Sequence, residues 1–290
     1  MAPRFDTVTF LSDYGTADEF VGVVHSVIRS IAPHVTVIDL THEIPAHDVR
    51  AGSFTLGRSA QYLCPGVVLA VVDPGVGSER RGVALEVGDG QSYLVGPDNG
   101  LLASAVAMSG GVTAAVELTN PDRQLVAPGP TFAGRDVFAP AAAHLCNGVD
   151  LAELGPAVDP LSLLPGIMPL TRQSDDGLVA EVIWVDRFGN CQLNVDPEEV
   201  DHLGRRVQLR WGDDTRTADR ATTYQGIVPG QVGLVVDSYG MLSVCMGRRS
   251  AADELAMGVG TEVTLAEPGA SSPSAVVTEQ PTSIRSRKAP

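Results

Sequence analysis

Apolar and polar positions follow two different textures along the chain. Up to about residue 165, short apolar runs alternate with stretches whose apolar residues recur at helical spacing, the pattern of parallel α/β units. Strands are predicted over Thr7 to Leu11, Val35 to Leu40 and Val67 to Val72, with paired strands over Gly82 to Val87 and Ser92 to Val95 joined by Gly88-Asp89-Gly90. Helices are predicted over Phe20 to Ile31, where Phe20, Val23, Val24, Val27, Ile28 and Ile31 fall on one face, and over Val49 to Leu63. A short helix is expected near Asn99, and a longer one from Arg135 to a C-cap at Asn147-Gly148. Leu151 to Asp176 is rich in proline and turn residues with no clear element, and its end, 166–176, reads as a linker. Beyond it come short strands without helices between them: Leu178 to Val185, Val207 to Trp211, Val232 to Val236, Leu242 to Met246 and Val263 to Ala266. The expected organisation is an α/β domain over 1–165, a small β-barrel or sandwich over 177–267, and a disordered Ser/Pro/Thr-rich tail over 268–290.

Composition narrows the function. The 290 residues carry a formal net charge of −15, which disfavours nucleic acid and anionic membrane surfaces as partners. The N-terminus has no signal-peptide pattern and no apolar run is long enough to cross a bilayer, so a cytoplasmic protein is expected. Cys64, Cys146, Cys191 and Cys245 are widely spaced and read as small buried thiols rather than as zinc ligands. The chain has no P-loop, no GxGxxG after its first strand, no HExxH and no GxSxG.

Polar residues gather where the predicted strands end. In an open α/β sheet, ligands bind beyond the carboxyl ends of the strands. Asp13 ends the first strand, where it suits the hydroxyls of a ribose or caps the next helix. Thr41-His42 ends the second, with His42 a base, a ligand contact or an ordinary loop residue. Asp73 ends the third, and the turn Pro74-Gly75-Val76-Gly77 lets Arg80 return its guanidinium toward that carboxylate, keeping it ionised and able to orient water. Asp98-Asn99 reads as a structural turn. Arg135-Asp136 opens a helix whose N-terminus suits an anion or water. In the β-rich half, Phe188 could stack on a nucleobase and Asn190 read its edge, and Ser238-Tyr239 could contact a polar ligand.

Together the segments LSDYG, DLTHEIP, VVDPGVGSERR, GPDNGLL, TFAGRDVFAPAAAHL, VDRFGN and DSYG resemble the S-adenosyl-L-methionine hydroxide adenosyltransferases, hydrolases related to the fluorinases and chlorinases. The likeness spans about residues 6 to 266. It implies an α/β domain with a mostly parallel central sheet and a smaller C-terminal β-barrel. It also implies a homotrimer with interfacial active sites, S-adenosylmethionine as substrate rather than cofactor, and no metal. By the same likeness Asp13 would hold the ribose, Phe188 and Asn190 the adenine, and Asp186 and Ser238, beside Tyr239, the methionine end. Asp73 and Arg80 match two members of the hydrolases' water-handling triad, and the halogenating enzymes carry tyrosine in place of Asp73. Gly134 matches the halide-pocket position and discriminates little. The third member of the triad, a histidine, is replaced by Ala133. The expected reaction is hydrolysis to adenosine and L-methionine, impaired by Ala133. The alternatives are a halogenase, a non-catalytic binder of the same substrate, and a hydrolase holding a divalent ion on Asp13, His42, Asp73, Asp98 and Asp136.

Overall fold

The computed structural model describes residues 3–269, which fall into two compact units divided after Met168. The expected tail therefore lies, from residue 270 on, outside the described residues. The first unit is built on a six-stranded sheet, β1 (Thr7–Ser12), β2 (Thr36–Thr41), β3 (Val67–Val71), β4 (Gly82–Val87), β5 (Ser92–Pro97) and β6 (Val112–Glu117), in the order β2-β1-β3-β5-β4-β6. β2, β1, β3 and β5 run parallel, while β4 pairs antiparallel with both β5 and β6. β3 lies inside the sheet, and all five of its residues are buried. Its alternate side chains enter two cores. Val67, Leu69 and Val71 pack with α1 (Phe20–Ile31) and α4 (Ala139–Cys146); Val68 and Ala70 join the core beneath α2 (Val49–Ser59) and α3 (Ala103–Met108). A strand covered on both faces reads as a continuous apolar run, and each large side chain so buried stabilises by about 1.5–3 kcal/mol.

Two local devices shape the unit's carboxyl edge. The β1–β2 register slips between Phe10 and Leu11, which pair with Asp39 and Thr41, so Leu40 is an extra residue in β2. A bulge of this kind re-aims the side chains that follow it. The long predicted helix begins with a wider π turn over Gly134–Phe138 before α4. Pro140 has no N–H to give the Asp136 carbonyl four residues back. That carbonyl instead accepts the Leu125 N–H at 2.9 Å.

The second unit contains a closed seven-stranded barrel. Its strands are β8 (Gly177–Val185), β9 (Cys191–Leu193), β10 (Arg206–Trp211), β11 (Asp214–Arg220), β12 (Val232–Val236), β13 (Leu242–Met246) and β14 (Glu262–Ala266). The order β14-β10-β11-β12-β13-β9-β8 closes through a β14–β8 pairing. A short strand β7 (Arg172–Ser174) pairs outside β8, within the segment expected to lack structure, and 3₁₀ turns occupy Leu151–Leu154 and Pro160–Ser162. A short helix α5 (Ala251–Leu255) completes the unit. No described helix is long and apolar enough to cross a membrane. Three cysteines are buried as expected, with burial pushing the thiols of Cys146 and Cys245 up to about 12 and that of Cys191 to about 11; Cys64 is exposed.

Candidate active site

Asp73 follows directly on β3 and Val72, where the apolar run gives out. The chain then turns sharply, with the Val76 N–H on the Asp73 carbonyl (3.2 Å) and the Ser78 N–H on that of Gly75 (3.1 Å). The Ser78 hydroxyl accepts the Arg80 N–H at 3.3 Å. This turn carries the Arg80 guanidinium back onto the Asp73 carboxylate, Nη2 against Oδ2. The pair is partly buried, with side-chain exposures of 14% for Arg80 and 6% for Asp73. The guanidinium also lies over the Phe138 ring, 5.3 Å from its centre. Asp73 Oδ1 and Arg80 Nε have no hydrogen-bond partner among the described residues. Leaving charged groups half-satisfied in a dry setting is costly, and it concentrates at functional sites. Burial pushes the Asp73 pKa above the ordinary value, and the opposing attraction of Arg80 does not cancel that.

Asp13 follows β1, next to β3. Its N–H reaches the Val71 carbonyl at 3.3 Å, and its Oδ2 accepts the His47 N–H at 2.9 Å, tying the end of β1 to the start of α2. Asp13, Tyr14, His47, Asp73, Phe132 and Ala133 line one cavity of about 240 Å³. Tyr14 is wedged among Phe10, Phe20 and Phe132, with ring centres 5.6–6.4 Å away, and burial raises its hydroxyl pKa. Its hydroxyl presses on Gly134, where an added Cβ would lie 2.2 Å from Oη, so a larger residue there would have to displace the Tyr14 ring. Ala133 also lines a second cavity of about 500 Å³, shared with Arg80, Gly82 and Asp136. Its methyl group therefore stands between two open spaces, one edged by Asp73 and the other by Arg80.

The five residues weighed as a metal site do not converge as ligands; among the described residues a different group has that geometry. Asp73 faces Arg80. Asp98 accepts two hydrogen bonds from Arg81 (3.0 and 2.6 Å) and the Leu164 N–H (2.8 Å), the structural role its turn suggests. Asp136 is held by Arg135, whose guanidinium donates to its two carboxylate oxygens at 2.6 and 3.0 Å. His42 is buried, its Nδ1 2.8 Å from the Ser12 hydroxyl.

In the second unit Asp186, Phe188, Asn190, Ser238 and Tyr239 line a common cavity of about 270 Å³. The Asp186 carboxylate is the pivot of its turn. Oδ1 accepts the N–H groups of Phe188 and Asn190, both at 2.8 Å, and Oδ2 accepts the Asn190 amide at 2.7 Å. Gly189 sits at φ +79° with no room for a Cβ, which would lie 2.0 Å from the Ser250 hydroxyl. The turn thus presents Phe188 outward, 76% exposed. Asp237 organises the facing turn, taking the Tyr239 N–H (2.9 Å), the Gln192 amide (2.6 Å) and the Ser243 hydroxyl (3.0 Å). Trp184 and Tyr224 complete the lining and were not singled out from sequence. Trp184 lies in an otherwise ordinary strand run, and Tyr224 follows two threonines with no periodicity to mark it. In the first unit the sequence marks Phe20 only as part of a helix face and assigns no role to His47 or Phe132.

A doubly covered, mostly parallel sheet with an acid–guanidinium pair at its carboxyl edge, joined in sequence to a seven-stranded barrel with an aromatic-lined pocket, defines a two-unit α/β plus β-barrel enzyme class. Profiles of the SAM hydroxide adenosyltransferase N-terminal and C-terminal domains match residues 8–155 and 180–264. The chain belongs to that family. It is 46% identical over 255 residues to an (R)-S-adenosyl-L-methionine hydrolase of Salinispora tropica, an alignment covering 88% of this chain and 95% of the relative. Identity to a fluorinase of an Actinoplanes species is 26% over 288 residues, covering 89% and 96%. A crystal structure of an uncharacterized conserved protein from Thermotoga maritima superposes with a TM-score of 0.82 at 32% identity, covering 89% of this chain and all of that one.

Proposed function

We propose that this protein hydrolyses S-adenosyl-L-methionine to adenosine and L-methionine. The observation that carries the reading is the partly buried Asp73–Arg80 pair, with one unpartnered polar atom on each member, beside the cavity that Asp13 lines. A water oxygen attacks the ribose C5′ in line with the C5′–S bond. That bond breaks with its electron pair passing to sulfur, so the sulfonium leaves as the neutral thioether of methionine. The water gives up one proton, which is released to solvent, and becomes the adenosine 5′-hydroxyl. A neutral leaving group needs no acid; the difficulty is the nucleophile, since bulk water has a pKa near about 15.7. Arg80 stabilises hydroxide character on the attacking oxygen, and Asp73 orients that oxygen and Arg80. Holding the oxygen about 3 Å from carbon in a productive line is worth several kcal/mol.

Asp13 is the acceptor for the ribose hydroxyls. Phe188 stacks on the adenine and Asn190 reads its edge, while Asp186, Ser238 and Tyr239 serve the methionine end. The engagement of Asp186 by Asn190 and two backbone N–H groups favours a role for that carboxylate in shaping the pocket as well as in attracting the amino group. Ala133 offers no ring nitrogen to the attacking water, and turnover is correspondingly slow. The functional assembly is a homotrimer in the cytoplasm with active sites at subunit boundaries. No cofactor takes part.

Incubating the chain with the sulfonium substrate and resolving products by chromatography tests this directly. Equal amounts of adenosine and methionine are expected, and Asp73→Asn should form both far more slowly. Halide-dependent 5′-halo-5′-deoxyadenosine would point to the fluorinase chemistry instead.

A further inference from the structure

His25, Asp39 and His42 bring two imidazole nitrogens and a carboxylate oxygen within 4.8 Å of one another, on elements far from the Asp73–Arg80 turn in sequence. His25 comes from α1 and Asp39 from the exposed edge strand β2, and His42 lies just past the end of β2. In a regular strand residues three apart point to opposite faces. The extra residue at Leu40 resets that alternation and lets Asp39 and His42 meet on the side of the sheet covered by α1. His25 Nε2 lies 2.8 Å from Asp39 Oδ1, and His42 Nε2 lies 3.0 Å from the same oxygen.

His42 supplies the second, independent observation. It is 6% exposed, and Nε2 is buried with no hydrogen-bond partner among the described residues, facing the Asp39 carboxylate across 3.0 Å. Its other nitrogen is held by the buried Ser12 hydroxyl at 2.8 Å, and its ring packs on Phe10, centre to centre 4.7 Å. A histidine fixed at Nδ1 by a neighbouring oxygen and offering Nε2 to a shared point is the arrangement that metal sites use.

We propose that His25, Asp39 and His42 bind one divalent transition-metal ion of the zinc type through Nε2, Oδ1 and Nε2, with water at the remaining position. The donor set is the nitrogen-and-carboxylate mixture that zinc accepts and that the oxygen-preferring calcium and magnesium do not. Metal–ligand bonds of about 2.0–2.2 Å in tetrahedral geometry separate donors by roughly 3.3 Å. The observed 2.8 and 3.0 Å must open by a few tenths of an ångström, and the two imidazole nitrogens, which lie within 4.8 Å of each other, must settle near the same separation through movement of the partly exposed His25 and Asp39. The ion would brace the loop that carries Asp13, since the His42 carbonyl accepts the Gly15 N–H at 2.8 Å and Ser12 immediately precedes Asp13. It takes no part in the displacement at carbon, and the proposal stands or falls independently of the hydrolysis reading.

The test uses the full chain without a histidine tag, loaded with zinc chloride or cobalt chloride, passed through a desalting column and assayed for bound metal and for the visible spectrum of cobalt. One equivalent per chain is expected, with a rise in melting temperature on loading. Asp39→Asn and His25→Gln, both at partly exposed positions that the fold tolerates, should each weaken binding at least about 100-fold and erase the shift, since loss of even an outer partner costs about 10- to 100-fold. Less than a tenth of an equivalent retained by the unaltered chain, or equal retention by both variants, overturns the proposal.

Discussion

Asp73 and Arg80 sit seven residues apart in sequence yet form one partly buried ion pair, because the turn between them folds the guanidinium back over the end of the central strand. Such a pair adds little by existing, but removing one member strands the other. Arg80→Met should therefore cost about 3–5 kcal/mol of unfolding free energy at neutral pH, and less in acid, where Asp73 takes up a proton. The double variant Arg80→Met/Asp73→Leu should recover much of the loss. Urea denaturation of the three proteins measures it; additive losses would show that the two groups do not act as a pair.

The raised pKa of Asp73 fixes the sign of two pH effects. The folded protein holds this proton more tightly than the unfolded chain, so its contribution to stability is full below the ordinary carboxylate pKa and is lost as pH rises through the elevated value. Under the proposed mechanism activity runs the other way, because the ionised form is the one that orients water. The acid limb of kcat/KM should lie above the range of a free carboxylate, and it should be missing from whatever residual activity Asp73→Asn retains.

Ala133 borders a cavity on each side, so an imidazole has room there. Ala133→His should raise kcat by about 10²–10⁴-fold, the range for one well-placed proton-transfer group, with little change in KM. Steady-state adenosine release from both proteins checks it. Equal rates would mean that the pair alone handles the water.

Phe188 and Asp186 are neighbours with opposite expected behaviour. Phe188 is 76% exposed, so Phe188→Ala should leave stability within about ±0.5 kcal/mol while weakening substrate binding by the stacking term of about 1–3 kcal/mol. Asp186→Ala removes the acceptor of three hydrogen bonds, each worth about 1.5–3 kcal/mol when made to a charged group, so it should lower the melting temperature as well. Calorimetric titration with substrate and thermal melts separate the two.

What the sequence reveals follows from how each element is stabilised. β3 and α1 are legible because burial dictates every position or a clean stripe. β11 is not: its seven residues are nearly all polar, only Ala218 is buried, and the strand exists because its backbone pairs with β10 and β12. β6 is similarly blurred by its adjacent alanines. The candidate site divides the same way. Asp13 and Asp73 are visible as polar residues ending apolar runs, and Arg80 as the cation that a glycine turn can bring back to Asp73. Tyr14, Tyr224 and Trp184 enter through packing that no local pattern signals. The grouping of His42 with Asp39 depends on a bulge, which a sequence period of two cannot show.

The central claim is that Asp73 and Arg80 deliver a water oxygen to the ribose carbon. Turnover of S-adenosyl-L-methionine in ¹⁸O-labelled water, followed by mass spectrometry of both products, tests it most directly. The account predicts one heavy oxygen in adenosine, none in methionine, and no labelled product from Arg80→Met. Unlabelled adenosine, or labelled adenosine formed equally well without Arg80, would contradict it.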